Sequence, residues 1–382
     1  MKFLHIADLH IGKSLNQKSL LEDQKVVLDQ IIKQMEDNDI STLLLAGDIY
    51  DKQIPSKEAV SLFNEFLCDL ILKHHYKVYI ISGNHDSVER LNFASSILKS
   101  EGLFIETYAT SPITKYELTD EFGKVTLYML PFSTPLYTRT KFNTTCKTYS
   151  DMIKYYVESS NIDFNERNVL MTHHTLLHEN EAKFSDSEIR FNIGGTEGID
   201  AAYFNNFDYV ALGHLHCPQY LSKEYIRYSG SILKYSESEI NTPKSSVMVE
   251  INEKGNVIIN LLPLVPLRDL KVLKGTIEEL LIDPSIIIDD FVYVILTNDK
   301  TVPYAMKRIK VKYPNAVSLT YDNILKTIEK KVIVKSVDFS EKNYLEQFNE
   351  FYNNVTEDSL NDNQINILTK LINKAVEDNE TN

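Results

Sequence analysis

Lys77-Val78-Tyr79-Ile80-Ile81-Ser82-Gly83-Asn84-His85-Asp86 is the stretch from which the rest of the chain is read. An apolar run of strand character ends at a glycine, and an amide, an imidazole and a carboxylate leave that strand end together. Glycine frees the backbone to turn sharply at this point. Taken alone, polar residues after a strand commonly do no more than cap the next helix. The tetrapeptide becomes a site only where other strands deliver matching ligands to the same edge.

Upstream, Phe3-Leu4-His5-Ile6-Ala7 reads as a buried strand ending at Asp8-Leu9-His10, and Thr42-Leu43-Leu44-Leu45-Ala46 as a second, ending at Gly47-Asp48. Between them Val26, Val27, Ile31, Ile32 and Met35 fall at helical spacing, predicting a helix over about 24–37. Another is predicted after Pro55, where Ala59, Val60, Leu62, Phe63, Phe66, Leu67, Leu70 and Ile71 cover most of the circumference and imply a second buried face. Leu91, Phe93, Ala94, Ile97 and Leu98 predict one more helix. Strand–helix alternation of this kind is the signature of an α/β sheet covered on both sides. Downstream, Asn168–Thr172 and Tyr209–Leu212 are further apolar strands, ending at His173-His174 and at Gly213-His214-Leu215-His216. The segment Val257–Leu262 is expected to pair with Ser246–Glu250 across Glu253-Lys254-Gly255.

The strand ends together carry Asp8, His10, Asp48, Asn84, His85, His173, His214 and His216. In an α/β sheet such ends share one edge, where ligands bind. Any one of these residues has an ordinary structural explanation, a helix cap or a satisfied core histidine; eight at five strand ends are a joint coincidence of another order. Oxygen and imidazole donors without thiolates suit Mn²⁺, Fe²⁺ or Zn²⁺. Their number exceeds one ion that keeps an open position and fits two ions sharing a carboxylate, the arrangement of phosphoester hydrolysis.

Composition sets the outer bounds. The chain has 382 residues, 43% hydrophobic and 25% charged, enough for two or three domains. Its net charge of −14 argues against a broad basic face for nucleic acid, though not against nucleic-acid chemistry, since bound cations can meet the phosphate. No apolar run approaches membrane-spanning length, and the three scattered cysteines make no CxxC pair, which fits a reducing cytoplasm and no membrane association. Leu261–Leu267, with its two prolines, marks the exit from the first domain. A small α+β unit follows, then two apolar stripes, Leu345/Phe348/Phe351/Tyr352 and Ile365/Leu368/Leu371/Ile372/Ala375, which either fold back or dock on a partner.

Asp8-x-His10, Gly47-Asp48-x-x-Asp51, Gly83-Asn84-His85-Asp86, His173 and Gly213-His214-x-His216 resemble the five motifs of the calcineurin-like metallophosphoesterases. The segment from Phe207 to Gln219, with Ile226–Ser231 and Lys234-Tyr235-Ser236, is similar to the SbcD-type nuclease subunits of that superfamily. The resemblance implies an α/β sandwich of two β-sheets flanked by helices, a capping domain and a C-terminal helical tail. It divides the chain into a nuclease domain at 1–265, a DNA-contacting cap at 266–335 and a tail at 336–382 that binds an ATPase coiled coil. It places Asp8, His10, Asp48 and His216 around one Mn²⁺ and Asp48, Asn84, His173 and His214 around the other, with His85 toward the scissile phosphate. The implied activity is metal-dependent cleavage of DNA, exonucleolytic on double strands and endonucleolytic on single strands or hairpins, in repair, recombination and replication, with an SbcC-type ATPase. This chain lacks a GxxxxGK[ST] loop, so nucleotide would bind the partner. Homodimerisation is implied through helices near 56–74 and 89–100, in a cytoplasmic, nucleoid-associated protein.

Several positions stand outside the pattern. His174 doubles the fourth motif, and alternation would point it away from His173. Ile232 and Glu237 replace the proline and aromatic residue usual in that loop; Cys217 reads as a buried bystander, His74-His75 as a surface feature, Asp51 and Asp86 as supports, and His5 and His178 have no evident partner. Lys307, Arg308, Lys310 and Lys312 make a modest basic cluster that a solvated helix face explains equally well. Two other functions fit parts of this picture: a small-molecule phosphodiesterase, against which the cap and tail weigh, and a noncatalytic ATPase partner, against which the complete ligand set weighs.

Overall fold

A computed structural model describes residues 1–177, 182–188, 198–283, 286–322, 345, 348, 349, 352, 360, 361 and 363–371. In chain order its main elements are β1 (Lys2–Ile6), α1 (Leu21–Asp37), β2 (Thr42–Ala46), α2 (Lys57–Cys68), β3 (Lys77–Ile81), β4 (Leu103–Glu106), β5 (Thr114–Asp120), β6 (Gly123–Leu130), α3 (Tyr149–Ser159), β7 (Arg167–Thr172), β8 (Tyr209–Leu212), β9 (Gln219–Leu221), β10 (Lys223–Tyr228), β11 (Ser245–Ile251) and β12 (Val257–Pro263). Two six-stranded sheets result, ordered β12-β11-β1-β2-β3-β4 and β9-β10-β8-β7-β6-β5. In the first, β1 to β4 are parallel, and the β11–β12 hairpin adds to β1 antiparallel. In the second, β6, β7, β8 and β10 are parallel, with antiparallel strands at both edges.

Side-chain alternation assigns each strand two faces. Phe3, Ala7, Leu44, Ala46, Tyr79 and Ile81 of the first sheet meet Val125, Leu127, Met129, Val169, Met171, Tyr209 and Ala211 of the second in one buried layer. The intervening residues Leu4, Ile6, Leu43, Leu45, Val78 and Ile80 turn outward onto α1 and α2, where Val27, Leu28, Ile31, Met35, Leu62, Phe63 and Phe66 cover them. On the opposite side Tyr128, Leu130, Leu170, Val210 and Leu212 pack on Met152, Ile153 and Tyr156 of α3. The fold is therefore helix, sheet, sheet, helix, and strands buried on both faces read as continuous apolar runs for that reason.

The sandwich of two β-sheets flanked by helices that the resemblance implies is the fold that forms, so the ligand-bearing strand ends come from two sheets rather than from one sheet edge. Asp8, Asp48 and Asn84 end strands of one sheet, whereas His173 and His214 end strands of the other. The helix predicted behind the tetrapeptide is two single turns, Val88–Leu91 and Ser95–Leu98, because Ala94 between them is left-handed (φ 59°). Pro55 lies outside α2, whose N-cap is Ser56, its hydroxyl accepting from the Ala59 N–H at 3.2 Å. The second apolar face of that region is not buried within the chain: Ile54, Val60, Leu72, Phe93 and Ile97 are all exposed.

Beyond β12 come strands Leu270–Gly275, Phe291–Leu296 and Ala316–Tyr321 and helix Ala305–Lys312. Lys312 leaves the anticipated basic cluster: it is buried and donates to the Ile282 carbonyl at 2.5 Å, while Lys307, Arg308 and Lys310 are exposed. The chain forms two compact units, Met1–Leu273 with Leu281–Val294 and Tyr304–Ser318, and Lys274–Leu280 with Ile295–Pro303 and residues from Leu319 onward. In the second unit residues 363–371 are helical, exposing Ile367 and Leu371 one turn apart. Phe351, Ile372, Ala375 and His178 lie outside the described residues. Among the described residues no helix is long and apolar enough to cross a membrane.

Candidate metal centre

The parallel register of β1 with β2 sets the turns that follow them side by side. The Asp8 N–H donates to the Gly47 carbonyl and the His10 N–H to the Asp48 carbonyl, each at 3.0 Å. Asp8, His10, Asp48 and His214 all take positive φ (53°, 42°, 52° and 102°). Non-glycine residues held there are strained, a cost tolerated where it aims side chains inward. Gly83 passes so close that a Cβ would lie 2.1 Å from Asp48 Oδ1 and 2.5 Å from Asp48 N. At Gly213 a Cβ would lie 2.0 Å from the Ala46 carbonyl oxygen and 2.6 Å from His173 Nδ1. The glycines flanking the ligands are thus fixed by contact distance as much as by turning.

From these turns the side chains converge. Ligand-capable atoms of Asp8, His10 and His216, of His10, Asp48 and His85, and of Asp8, Asp48 and His173 form three groups, each within 4.8 Å mutually. Asn84 Oδ1 faces His173 Nε2 at 3.1 Å and His214 Nδ1 at 3.0 Å. His173 Nδ1–H donates to the Ala46 carbonyl at 2.7 Å, which turns Nε2 into the cradle as the nitrogen a cation would take in place of a proton. The backbone amides of His214 and His85 donate to Asp8 Oδ1 (3.0 Å) and Asp48 Oδ1 (2.9 Å). His85, half-buried, sets Nδ1 3.1 Å from the Asp51 carbonyl and its ring edge-on to His10.

Electrostatics test whether this cradle fits cations. Burial pushes the Asp8 carboxyl well above its usual range, with the His173 imidazole pulling the other way. Burial likewise opposes charging of His173, but Asp48 at 3.4 Å outweighs it and raises the ring to about 9. Burial lowers His10, His214 and His216, so each of these imidazoles is neutral and keeps one ring nitrogen free to act as a ligand. His10 Nε2 and His216 Nε2 nevertheless face each other at 3.0 Å. Two buried carboxylates among neutral imidazoles, with His173 drawn toward charge by Asp48, form a donor set that divalent cations satisfy by displacing that ring's proton.

Other singled-out residues point elsewhere. His174 directs Nδ1 to the Thr172 hydroxyl (2.8 Å) and Nε2 to the Ser133 backbone, stacked on Phe132. Asp86 accepts from the amides of Ile49 (3.0 Å), Tyr50 (3.2 Å) and Gly83 (2.9 Å), tying the second and third motifs together. The Asp51 carboxylate pairs with Lys13 at 2.8 Å. Cys217 is buried and belongs to none of the three groups. His74 pairs with Glu36 at 3.3 Å, and His5, which the sequence leaves without an evident partner, meets the Tyr209 hydroxyl at 2.9 Å between the sheets.

The supporting shell has little signature in the sequence. Gln24 of α1 donates to the Leu9 and His10 carbonyls (3.1 and 2.8 Å), and the Tyr235 hydroxyl also donates to Leu9. A glutamine within the apolar stripe of α1 is the one signal available. Ser187, Glu188, Glu239 and Lys244 surround His216 and carry no periodicity that would mark them.

Residues 1–218 match the calcineurin-like phosphoesterase profile, and residues 266–356 match that of the type 5 capsule protein repressor C-terminal domain. The SbcD subunit of the SbcCD nuclease from Staphylococcus epidermidis is 37% identical over 325 residues, covering 84% of this chain and 85% of that protein. Among solved structures, a dimetal phosphatase from Danio rerio has 11% identity, 69% and 96% coverage of the two chains and a TM-score of 0.40. A phosphopantetheinyl hydrolase from Mycobacterium tuberculosis has 16% identity, 60% and 88% coverage and a TM-score of 0.33.

Proposed function

The chain belongs to the calcineurin-like phosphoesterase family, in its SbcD nuclease-subunit branch, and from that premise we propose that it hydrolyses DNA phosphodiesters with two Mn²⁺ ions as the nuclease subunit of an SbcCD-type complex. The observation that carries the reading is the convergence of Asp8, His10, Asp48, Asn84, His173, His214 and His216 from the ends of two sheets onto one buried cradle. Asp8, His10, Asp48 and His216 would hold one cation and Asp48, Asn84, His173 and His214 the other. The cations would supply an activated water and neutralise charge at the phosphate. His85 acts from the chain's side: with Nδ1–H donated to the Asp51 carbonyl, its Nε2 is the nitrogen free to take up a proton and, carrying it, to donate to the scissile phosphate or the leaving oxygen.

The finer reading follows the branch: exonuclease on duplex ends, endonuclease on single strands and hairpins, working with an SbcC-type ATPase in the cytoplasm at the nucleoid. The domain scheme is 1–265 for the nuclease, 266–335 for the DNA-contacting cap and 336–382 for the ATPase-binding tail. Exposed Ile367 and Leu371 support the tail assignment, and exposed Val60, Leu72, Phe93 and Ile97 support a homodimer surface. The test is cleavage of linear and hairpin DNA by the purified chain with Mn²⁺, with and without the ATPase, beside Asp48→Ala. Metal-dependent cleavage that disappears in the variant is expected. Efficient turnover of small phosphodiesters without DNA cleavage overturns the reading in favour of a small-molecule phosphodiesterase.

A further inference from the structure

Behind His216, on the side away from the cradle, lies a buried carboxylate outside the ligand set. Glu239 is 0% exposed. Lys244 Nζ donates to its Oε2 at 2.6 Å and the Ser231 hydroxyl to the same oxygen at 3.1 Å. Its Oε1 lies 2.7 Å from the hydroxyls of both Ser185 and Ser187. Ser187 Oγ in turn lies 2.6 Å from His216 Nδ1, while Glu239 itself is 3.5 Å away.

The proton positions follow from the donor inventory. A carboxylate paired with a lysine and ringed by hydroxyls is ionised and only accepts. The single hydrogen of the Ser187 hydroxyl therefore goes to Glu239 Oε1, because two facing lone pairs at 2.7 Å would repel. That leaves only a lone pair on Ser187 Oγ toward His216, so Nδ1 must carry the ring proton. With Nδ1 protonated, the bare Nε2 is the nitrogen that faces the cradle. The backbone of His216 is clamped as well: its N–H donates to Glu188 Oε1 at 2.6 Å, and its carbonyl accepts from Lys244 Nζ at 2.8 Å and from the Ser231 amide at 3.1 Å.

We propose that Ser187 and Glu239 are positioning residues for His216, relaying a proton constraint (Nδ1–H to Ser187, Ser187 O–H to Glu239) that fixes the ring's tautomer and plane for cation ligation. The inference rests on the two-cation reading of the cradle. Carboxylates behind ligating imidazoles ordinarily raise cation affinity about 10- to 100-fold.

The test is calorimetric titration of Mn²⁺ into the full apo chain. Wild type is expected to take up two ions. Ser187→Ala and Glu239→Gln are expected to lose about 10- to 100-fold in affinity at one of them, with the other unchanged, and Ser187→Thr to restore it. The apo melting temperature of Ser187→Ala should stay near that of wild type. Folded variants that bind both ions as wild type does overturn this proposal and leave the two-cation reading standing, whereas a wild type that binds no divalent cation overturns both. An independent measurement needs no variant: ¹⁵N histidine spectra of the apo chain should show His216 as the Nδ1–H tautomer, and an Nε2–H tautomer overturns the relay.

Discussion

Where the parallel strands begin, Arg167 donates to both oxygens of Asp120 (2.5 and 2.9 Å) and to the carbonyls of Gly123 and Asn252 (both 2.7 Å), and Lys254 meets buried Asp208 at 2.8 Å. Where the same strands finish, Asp8, Asp48 and Asp86 gather within one turn region, facing His10 and His214, which burial keeps from charging, and His173, which Asp48 draws toward charge. Both ends bury charge in the same fold. At the first, the protein supplies each counter-charge, and the Arg167 contact holds Asp120 well below the usual carboxylate range. At the second it sets three carboxylates against a single imidazole drawn toward charge, His173, a shortfall that cations from outside would complete. One end is built for stability, the other for a ligand.

Substitutions separate the two sharply. Asp8→Asn keeps the shape of a side chain that burial already favours in neutral form, so apo stability should hold within about 1 kcal/mol. Metal-dependent hydrolysis should fall by more than about a thousandfold, beyond the cost of one lost electrostatic stabiliser. Melting curves with and without Mn²⁺ read the first effect, and single-turnover cleavage reads the second. A variant that unfolds would show that Asp8 serves the fold, and the contrast between the ends would collapse. Arg167→Ala is expected to do the reverse. It leaves Asp120 and two carbonyls short of a donor and should cost about 3 kcal/mol in urea unfolding, with the Mn²⁺ affinity of the folded fraction unchanged.

Glycines give a smaller version of the same contrast. Gly83→Ala forces a methyl against the Asp48 backbone, which cannot yield as a flexible side chain would, so a loss of roughly 1–3 kcal/mol together with weakened Mn²⁺ binding is expected. Gly123, the first residue of β6 after the turn from β5, has φ 101° and no atom within 4 Å of a Cβ. Its alanine variant should cost only backbone strain, about 1 kcal/mol, and leave Mn²⁺ binding alone. Calorimetric titration of both variants decides whether cradle glycines are special.

What the sequence disclosed follows the same division. Apolar strands ending in Asp, Asn or His are a local, one-dimensional signal, so β1, β2, β3, β7 and β8 and the residues after them were legible directly. The partition into two sheets was not, because runs such as Val169–Met171 and Leu43–Leu45 are equally apolar whichever sheet they join; only the family resemblance supplied it. The break at Ala94 was hidden because alanine favours helix and nothing local marks its left-handed turn. Gln24, Ser187, Glu239 and Lys244 act across sequence separations that periodicity does not register.

The finest discrimination is in pH. Burial, reinforced by Asp48 and opposed by three backbone amides, raises Asp86 to about 6. Between its unfolded value near 4 and that value the folded state binds more protons than the unfolded one, so stability falls as pH rises, by at most about 1.4 kcal/mol per pH unit. Asp120 has the opposite sign: with its folded value depressed, its contribution is complete above about pH 4 and is lost as pH falls below it. Urea midpoints of the chelated chain should therefore gain a falling limb between about pH 4 and 6 that Asp86→Asn flattens. They should also gain an acid limb below about pH 4 that Asp120→Asn flattens. Saturating Mn²⁺ should reduce the first limb, since cations offset the Asp48 charge that helps raise Asp86, and leave the second untouched. Equal response of both limbs to Mn²⁺ would mean that the two ends are electrostatically alike, and the division drawn between them would fail.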